Sequence, residues 1–350
     1  MFKKKSLILI FAILLIMSLV TACGQKAQEP AQKEEVKEQV KEKVKEKDIT
    51  LIVPNTPGKG MDTYARMIVP YIEKHYPGAK ITVKNIVGAG GVIGINQLWQ
   101  SKPDGLTFAF TSFPSVLLAE LSGSEGVQFE ATKFTYLGRA ATEPRVFAVG
   151  GKSEFNSIED LAKAGRPIKF PSQGMDEDFF TAAVMAESMG FELNQITGYE
   201  GNADTALAVI KGEGDGHITA LGDADPMIKA GDKKPLLMFA PERVAEYPDV
   251  PTALEVTTGE GQNFMKVITN MLEVHRSFFG PPGMDPEVTR EFRAAVAKAL
   301  ADPELIDKAA KANNPITFME GERLQQKVDE IAATAEKIKG TLAKALADIK

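Results

Sequence analysis

The chain has 350 residues, 41 basic against 47 acidic side chains for a net charge of −6, 44% apolar residues and a single cysteine. A mixed-sign, mildly acidic composition without a basic cluster beyond the first residues argues against nucleic acid as a partner. One cysteine excludes an intramolecular disulfide, so the fold has to stand on its apolar core.

Lys3, Lys4 and Lys5 precede an unbroken apolar stretch over residues 7–20. It is too short to span a bilayer comfortably and has the length of a signal-peptide core. It ends in Val20-Thr21-Ala22-Cys23-Gly24, which resembles a bacterial lipobox, where the cysteine is lipidated and becomes the mature N-terminus. Residues 1–23 therefore read as a lipoprotein signal and Cys23 as the membrane anchor, with an ordinary cleaved secretory signal as the alternative. Residues 24–47 are nearly all Lys, Glu, Gln and Ala. Val36, Val40 and Val44 recur every four residues, but the segment buries too little apolar surface to offset the entropy of ordering and reads as a solvated tether. The remaining chain of about 300 residues suffices for two domains with proper cores.

Residues 49–53 (ITLIV) form a buried-type strand, followed by a loop rich in turn residues, 54–60, and a helix that Asp62 is placed to cap. Ala65, Ile68, Val69 and Ile72 give that helix a core-facing stripe. A strand at 81–83, the glycine loop Gly88-Ala89-Gly90-Gly91, a helix to about 100 and a strand at 106–110 complete a β-α-β-α-β unit, which implies a parallel sheet with its ligand edge at the strand ends. A second α/β unit follows, with strands at 145–149, 168–170, 217–221 and 236–239 and helices at 157–164, 176–189 and 203–210. Residues 266–279 read as a longer β-like segment. Helices then start at Asp285-Pro286 and Asp302-Pro303, cap and proline in their preferred places, and a last helix covers 320–346.

A glycine loop opening a helix directs backbone N–H groups at an anion. A dinucleotide site would need tighter glycine spacing after the first strand and an acidic residue about 20 positions on. Here Gly88, Gly90, Gly91 and Gly94 follow the second strand, and a Walker lysine is absent. His75, His217 and His275 are scattered without metal-ligand spacing, and no nucleophile elbow occurs, so no metal, cofactor or catalytic engine is expected. His75 reads as a helix-ending residue and His217 as a buried, hydrogen-bonded strand residue.

Six stretches, ITLIVPNTPGKGMDTYAR, VKNIVGAGGVIGINQL, PDGLTFAFTS, YEGNADTALAVIKGEGDGHITALGDADPMIKAG, YPDVPTALE and GPPGMDPEVTREFRAAVAKALADPE, occur in an order that resembles the extracytoplasmic solute receptors of tripartite tricarboxylate transporters. The resemblance implies an α/β, two-lobed periplasmic-binding-protein type II fold, each lobe an open mainly parallel sheet flanked by helices. It implies a small carboxylate held in the cleft between lobes 48–143 plus 277–350 and 144–276, hinged near 143–145 and 274–278. It further implies membrane transporter subunits as partners, an extracytoplasmic lipid-anchored location, no catalysis and a monomer. Presenting the ligand to a sensor kinase, or exported hydrolysis, are the rival readings.

By that resemblance one carboxylate group is held by Asn55, Thr56, Gly58, Lys59, Gly60 and Met61 together with Gly88, Ala89, Gly90 and Gly91. Thr111 and Ser112 add hydroxyls at the same edge, and Ser172, Gln173, Gly174, Asp176 and Thr219 form the second wall. The chain departs from the family pattern at Lys59, where a glycine is usual, and at Ile86-Val87, where Arg-Pro is usual. Asp176, Glu177 and Asp178 read as helix-capping acids, or as cleft-facing carboxylates that would repel a second acid group. With Thr219-Ala220 replacing a charged or amide pair, the expected ligand has one carboxylate and a neutral or cationic distal end.

Overall fold

The computed structural model describes residues 46–348; the signal 1–23 with Cys23, and nearly all of the tether 24–47, lie outside the described residues. The chain enters through β1 (Lys47–Val53), whose Leu51, Ile52 and Val53 are buried on both faces, as a central parallel strand requires. It continues through α1 (Gly60–His75), β2 (Ala79–Asn85), α2 (Val92–Trp99), β3 (Thr107–Ser112), α3 (Phe113–Leu121) and β4 (Thr135–Ala141). Next come β5 (Arg145–Gly150), α4 (Glu159–Ala162), β6 (Ile168–Pro171), α5 (Glu177–Met189), β7 (Leu193–Ile196), α6 (Asn202–Ile210), β8 (Gly216–Ala220), α7 (Leu221–Lys229) and β9 (Lys233–Phe239). The rest is α8 (Ala253–Val256), α9 (Gly259–Leu272), β10 (Arg276–Gly280), α10 (Pro286–Leu300), α11 (Pro303–Lys311), β11 (Met319–Glu320), α12 (Gly321–Ala335) and α13 (Lys339–Ala347).

Two sheet systems result. The first is six-stranded in the order β11-β4-β10-β3-β1-β2. Its β1 pairs in parallel with β2 and β3, whereas β10 runs antiparallel to β3 and β4. The second comprises β8-β5-β9 and the parallel pair β6-β7. The Asp215 N–H donates to the Lys169 carbonyl at 2.8 Å, joining β6 to the entrance of β8. The α/β class with helix-flanked sheets holds, but the pairing is mixed rather than mainly parallel. The reason is local: β4 passes into β5 through only Thr142, Glu143 and Pro144, so no crossover helix turns β5 round, and it runs antiparallel to both β8 and β9.

Three further expectations need correction. The first helix begins at Gly60, so Asp62 sits in its first turn rather than at its cap, and still serves the loop by accepting the Gly58 N–H at 2.7 Å. Residues 266–272 are the end of helix α9: the β-branched run Val267-Ile268-Thr269 suggests a strand, but Met265, Ile268 and Leu272 form a buried helical stripe, and the helix packs on α5. The last helix is interrupted at Glu336–Ile338, after which α13 turns onto α5 while α12 lies against β4 and α9. Asp285 and Asp302 cap α10 and α11 as expected, accepting amides at 2.8 Å and 3.0 Å.

Candidate ligand-binding cleft

The strand ends of both sheet systems face one cavity of about 1050 Å³. Its first wall is the loop after β1. Asn85 donates to the Asn55 carbonyl and to Asp62, both at 2.9 Å, and Thr111 donates to the Asn55 side chain at 3.0 Å. Burial alone would raise the Asp62 carboxyl, but Arg66, the Gly58 amide and Asn85 outweigh it and hold it below its ordinary value. Asp62 thus pins a loop that also holds itself by a turn, the Lys59 N–H donating to the Thr56 carbonyl at 3.2 Å.

The glycine loop forms the adjoining wall. Gly88, Ala89, Gly90 and Gly91 carry φ of 132°, 48°, 64° and 100° in succession. Four successive positive φ angles make a tight turn, a conformation in which neighbouring N–H groups can gather around an anion. Ala89 has no glycine freedom, and holding it there costs about 1 kcal/mol. The Gly91 N–H returns to the Gly88 carbonyl at 2.9 Å, while those of Ala89 and Gly90 have no protein acceptor among the described residues. Gly94 lets α2 press on this edge, since a Cβ there would lie 2.8 Å from the Ile86 carbonyl and 2.9 Å from Pro54.

The second wall comes from the loops after β6 and β7 and from β8. Asp176 caps α5, accepting the Phe179 N–H at 3.0 Å. Glu177 is buried at the junction of both sheet systems. It accepts Arg145 Nε at 2.8 Å and Nη2 at 2.5 Å, takes the Ser112 hydroxyl on its other oxygen, and has His275 Nε2 at 3.2 Å. Burial disfavours the Glu177 charge, yet Arg145 and His275 overcome it and keep the carboxyl far below its usual range. Burial, reinforced by the Glu177 charge, pushes Asp176 up to about 6, and burial raises Asp178 further. His275 is lowered to about 4 by burial, and its Nε2 lies 2.9 Å from Arg145 Nη2 as well as beside Glu177.

The two walls approach closely. A Cβ on Gly90 would sit 3.2 Å from the Met175 carbonyl, and one on Gly201 would sit 3.5 Å from Lys59 Nζ. Gly201 is the N-cap of α6 and no side chain caps it. The Lys59 ammonium and the positive end of a helix dipole therefore face each other, an arrangement that calls for an anion between them.

Of the residues singled out in the sequence, Asn55, Thr56, Lys59, Gly60 and Met61, Gly88, Gly90 and Gly91, Thr111 and Ser112, and Gln173, Gly174, Asp176 and Thr219 all line this one cavity. Gly58 and Ala89 are exposed in the same two loops without lining the cavity, and Ser172 is buried, its amide donated to the Ile196 carbonyl at 2.9 Å. Glu177 and Asp178 also line it, and the hydroxyls of Thr111 and Ser112 are both committed to protein acceptors. Sequence reasoning missed Arg145, His275 and Arg276 as wall residues, treating their segments only as crossings. The signal was available, because charges at the mouths of apolar strands need partners. It also missed α6, and the buried Lys233, whose Nζ lies 2.6 Å from Nδ1 of the cavity-lining His217.

Comparison with known proteins bears on this arrangement. A UPF0065 protein from the tcbD-tcbE intergenic region of Pseudomonas sp. strain P51 is 27% identical over 267 residues, covering 75% of this chain and 76% of the relative. A TctC solute-binding protein from Polaromonas, solved without ligand, superposes with a TM-score of 0.65 at 22% identity, over 85% of this chain and 98% of its own. MatC from Rhodopseudomonas palustris, solved with bound malate, gives 0.64 at 20% identity over 85% and 98%. The two structures establish a shared periplasmic-binding-protein fold. The family model TctC, tripartite tricarboxylate transporter family receptor, matches residues 65–346, and the chain belongs to that family.

Proposed function

We propose that this protein is a lipid-anchored, monomeric solute receptor on the outer face of the cell membrane, holding a small organic carboxylate for transfer to a tripartite membrane transporter. The observation that carries the reading is the positive-φ turn at Gly88–Gly91, whose Ala89 and Gly90 amides have no protein acceptor among the described residues, in a loop that lines the same cavity as Lys59. Fixed amide dipoles and an ammonium at the edge of a cleft are built for a carboxylate. The malate held by the neighbour MatC is in keeping with it.

Lobes 48–143 plus 277–350 and 144–276 move as two bodies in this reading, about hinges near 143–145 and 274–278. Closure excludes water, and each amide hydrogen bond strengthens as the local dielectric falls. No catalysis is assigned. Ser112 donates to Glu177, and His275 Nε2 sits between Arg145 and Glu177, so among the described residues this wall offers no nucleophile paired with a free base. Anchoring rests on Cys23, and a Cys23→Ser chain is expected to leave the membrane fraction.

Thermal denaturation of the full chain against mono-, di- and tricarboxylates tests the proposal. A ligand at 100 times its Kd adds about 2.7 kcal/mol to native stability, a readily measured rise in Tm. Absence of a shift with every carboxylate at millimolar concentration would remove it.

A further inference from the structure

We propose that the ligand is an amphipathic monocarboxylate, its acid end on the glycine loop and an apolar body laid along α6, rather than a di- or tricarboxylate. This inference rests on the solute-receptor reading above and narrows its ligand class.

The first observation is where apolar side chains are left exposed. Among the described residues seven large hydrophobic side chains are exposed, and four of them, Val87 (51%), Met175 (43%), Leu207 (48%) and Ile210 (36%), line this cavity. Concentrated exposure of that kind marks a binding surface, whereas scattered single residues do not.

The second is the construction of α6. Thr205, Ala206, Ala208 and Val209 are buried against the sheet, as any core-facing stripe would be. Ala203, Leu207 and Ile210, at i, i+4 and i+7, line the cavity on another side. After Asp204 the helix thus has no polar face at all. A helix apolar all round is normally enclosed on every side. Here the side opposite the core is open to the cavity, with Met227 beside it on α7. An apolar ligand body supplies the missing cover.

The third is the charge of the walls. Three cations line the cavity: Lys59, Arg145 and Arg276. Arg145 is spent on Glu177 and Arg276 on Glu143, the latter at 2.8 Å. Of these three, only Lys59 has no carboxylate within salt-bridge distance among the described residues, so one ligand carboxylate finds an unpaired cation in the cavity and a second does not. The remaining ionisable side chains of the second wall are Asp176, Asp178, Glu200 and Asp223 together with His217, whose neighbour Lys233 is buried behind it. A distal carboxylate would enter this wall with no unpaired cation to compensate its desolvation. Burial raises the Asp176 and Asp178 carboxyls, so as water leaves, this wall tends toward the neutral form, which suits an uncharged body.

Isothermal titration calorimetry of the full chain with butanoate, octanoate, octanedioate and 8-aminooctanoate tests the inference. Octanoate is expected to bind at least about tenfold tighter than butanoate, from the added CH₂ groups covered by α6, with a more negative heat-capacity change. Octanedioate is expected to lose at least about tenfold relative to octanoate. Leu207→Asn, at an exposed position that does not threaten folding, should weaken octanoate about tenfold and leave butanoate unchanged. Tighter binding of octanedioate or of citrate, tighter binding of 8-aminooctanoate, or indifference of octanoate to Leu207→Asn would each overturn the inference while leaving a carboxylate receptor standing. Failure of every carboxylate, butanoate included, would overturn both.

Discussion

Arg276 Nη1 lies 2.8 Å from Glu143 Oε1, an ion pair that ties together the two stretches by which the chain passes between its sheet systems. The guanidinium also lies 4.5 Å above the Tyr64 ring, and the second Glu143 oxygen accepts the Gly222 N–H at 3.2 Å. Burial would raise the Glu143 carboxyl, but Arg276 and Arg145 prevail and hold it below its ordinary value. Glu143→Gln is expected to cost about 3 kcal/mol at pH 7, because a largely buried guanidinium, 11% exposed, loses its counter-charge. A carboxyl with a depressed folded-state pKa contributes stability that is present above its unfolded value and lost as pH falls through its folded one. Urea denaturation of both chains from pH 7 downward should show the gap closing below about pH 4; a gap independent of pH would contradict the ion-pair account.

Lys233 is buried on β9 and burial lowers it to about 7; among the described residues its Nζ has only His217 as a side-chain partner, at 2.6 Å and 3.1 Å. The unfolded chain keeps the lysine protonated up to its ordinary 10.5, so the native state is penalised most below pH 7 and recovers between pH 7 and 10.5. Lys233→Met removes the charge and keeps the volume. The variant is expected to be more stable than the parent by about 2 kcal/mol at pH 6, with the advantage fading toward pH 10. Melting curves at both pH values check this, and an advantage that grows with pH would show the sign to be wrong.

Lys59 is an exposed cation on the loop after β1. Lys59→Ala should leave unfolding free energy within about 0.5 kcal/mol of the parent. Carboxylate affinity should fall about tenfold at low salt, and by less at high salt as screening already weakens the parent. Titration at two ionic strengths distinguishes this from a structural effect, which salt would not erode in parallel.

Gly94 occupies a contact with no room for a side chain, its hypothetical Cβ being 2.8 Å from a backbone oxygen. Gly94→Ala, although favourable by helix propensity, is expected to destabilise the fold by about 2 kcal/mol through overpacking. Because α2 would be displaced from the Pro54 loop, carboxylate affinity should fall too. A variant at least as stable as the parent would mean that α2 and that loop are not in rigid contact.

Much of the molecule can be read without coordinates where one signal is local and strong. The Asp-Pro starts of α10 and α11, the apolar run of β1, and the place of the glycine loop between β2 and α2 follow from a few adjacent residues, because caps, prolines and strand periodicity act over one or two turns of chain. The strand–helix alternation likewise placed Asn55, Lys59 and Gly90 on a common edge before any contact was known. Residues 266–272 failed because β-branched residues favour strands only weakly, and the buried face offered by α5 overrode that preference.

What the linear chain determined by itself was therefore the local chemistry: which segments are helix or strand, where glycines permit left-handed turns, and that a helix-opening loop would offer amides to an anion. Tertiary structure alone decided the direction of β5, the meeting of Arg145, Glu177 and His275 across more than a hundred residues of sequence, and the exposure of a second apolar side of α6. These depend on which distant groups end up sharing a desolvated space, and the energy of a buried charge or an uncovered leucine is set by those neighbours, not by the residues adjacent in the chain.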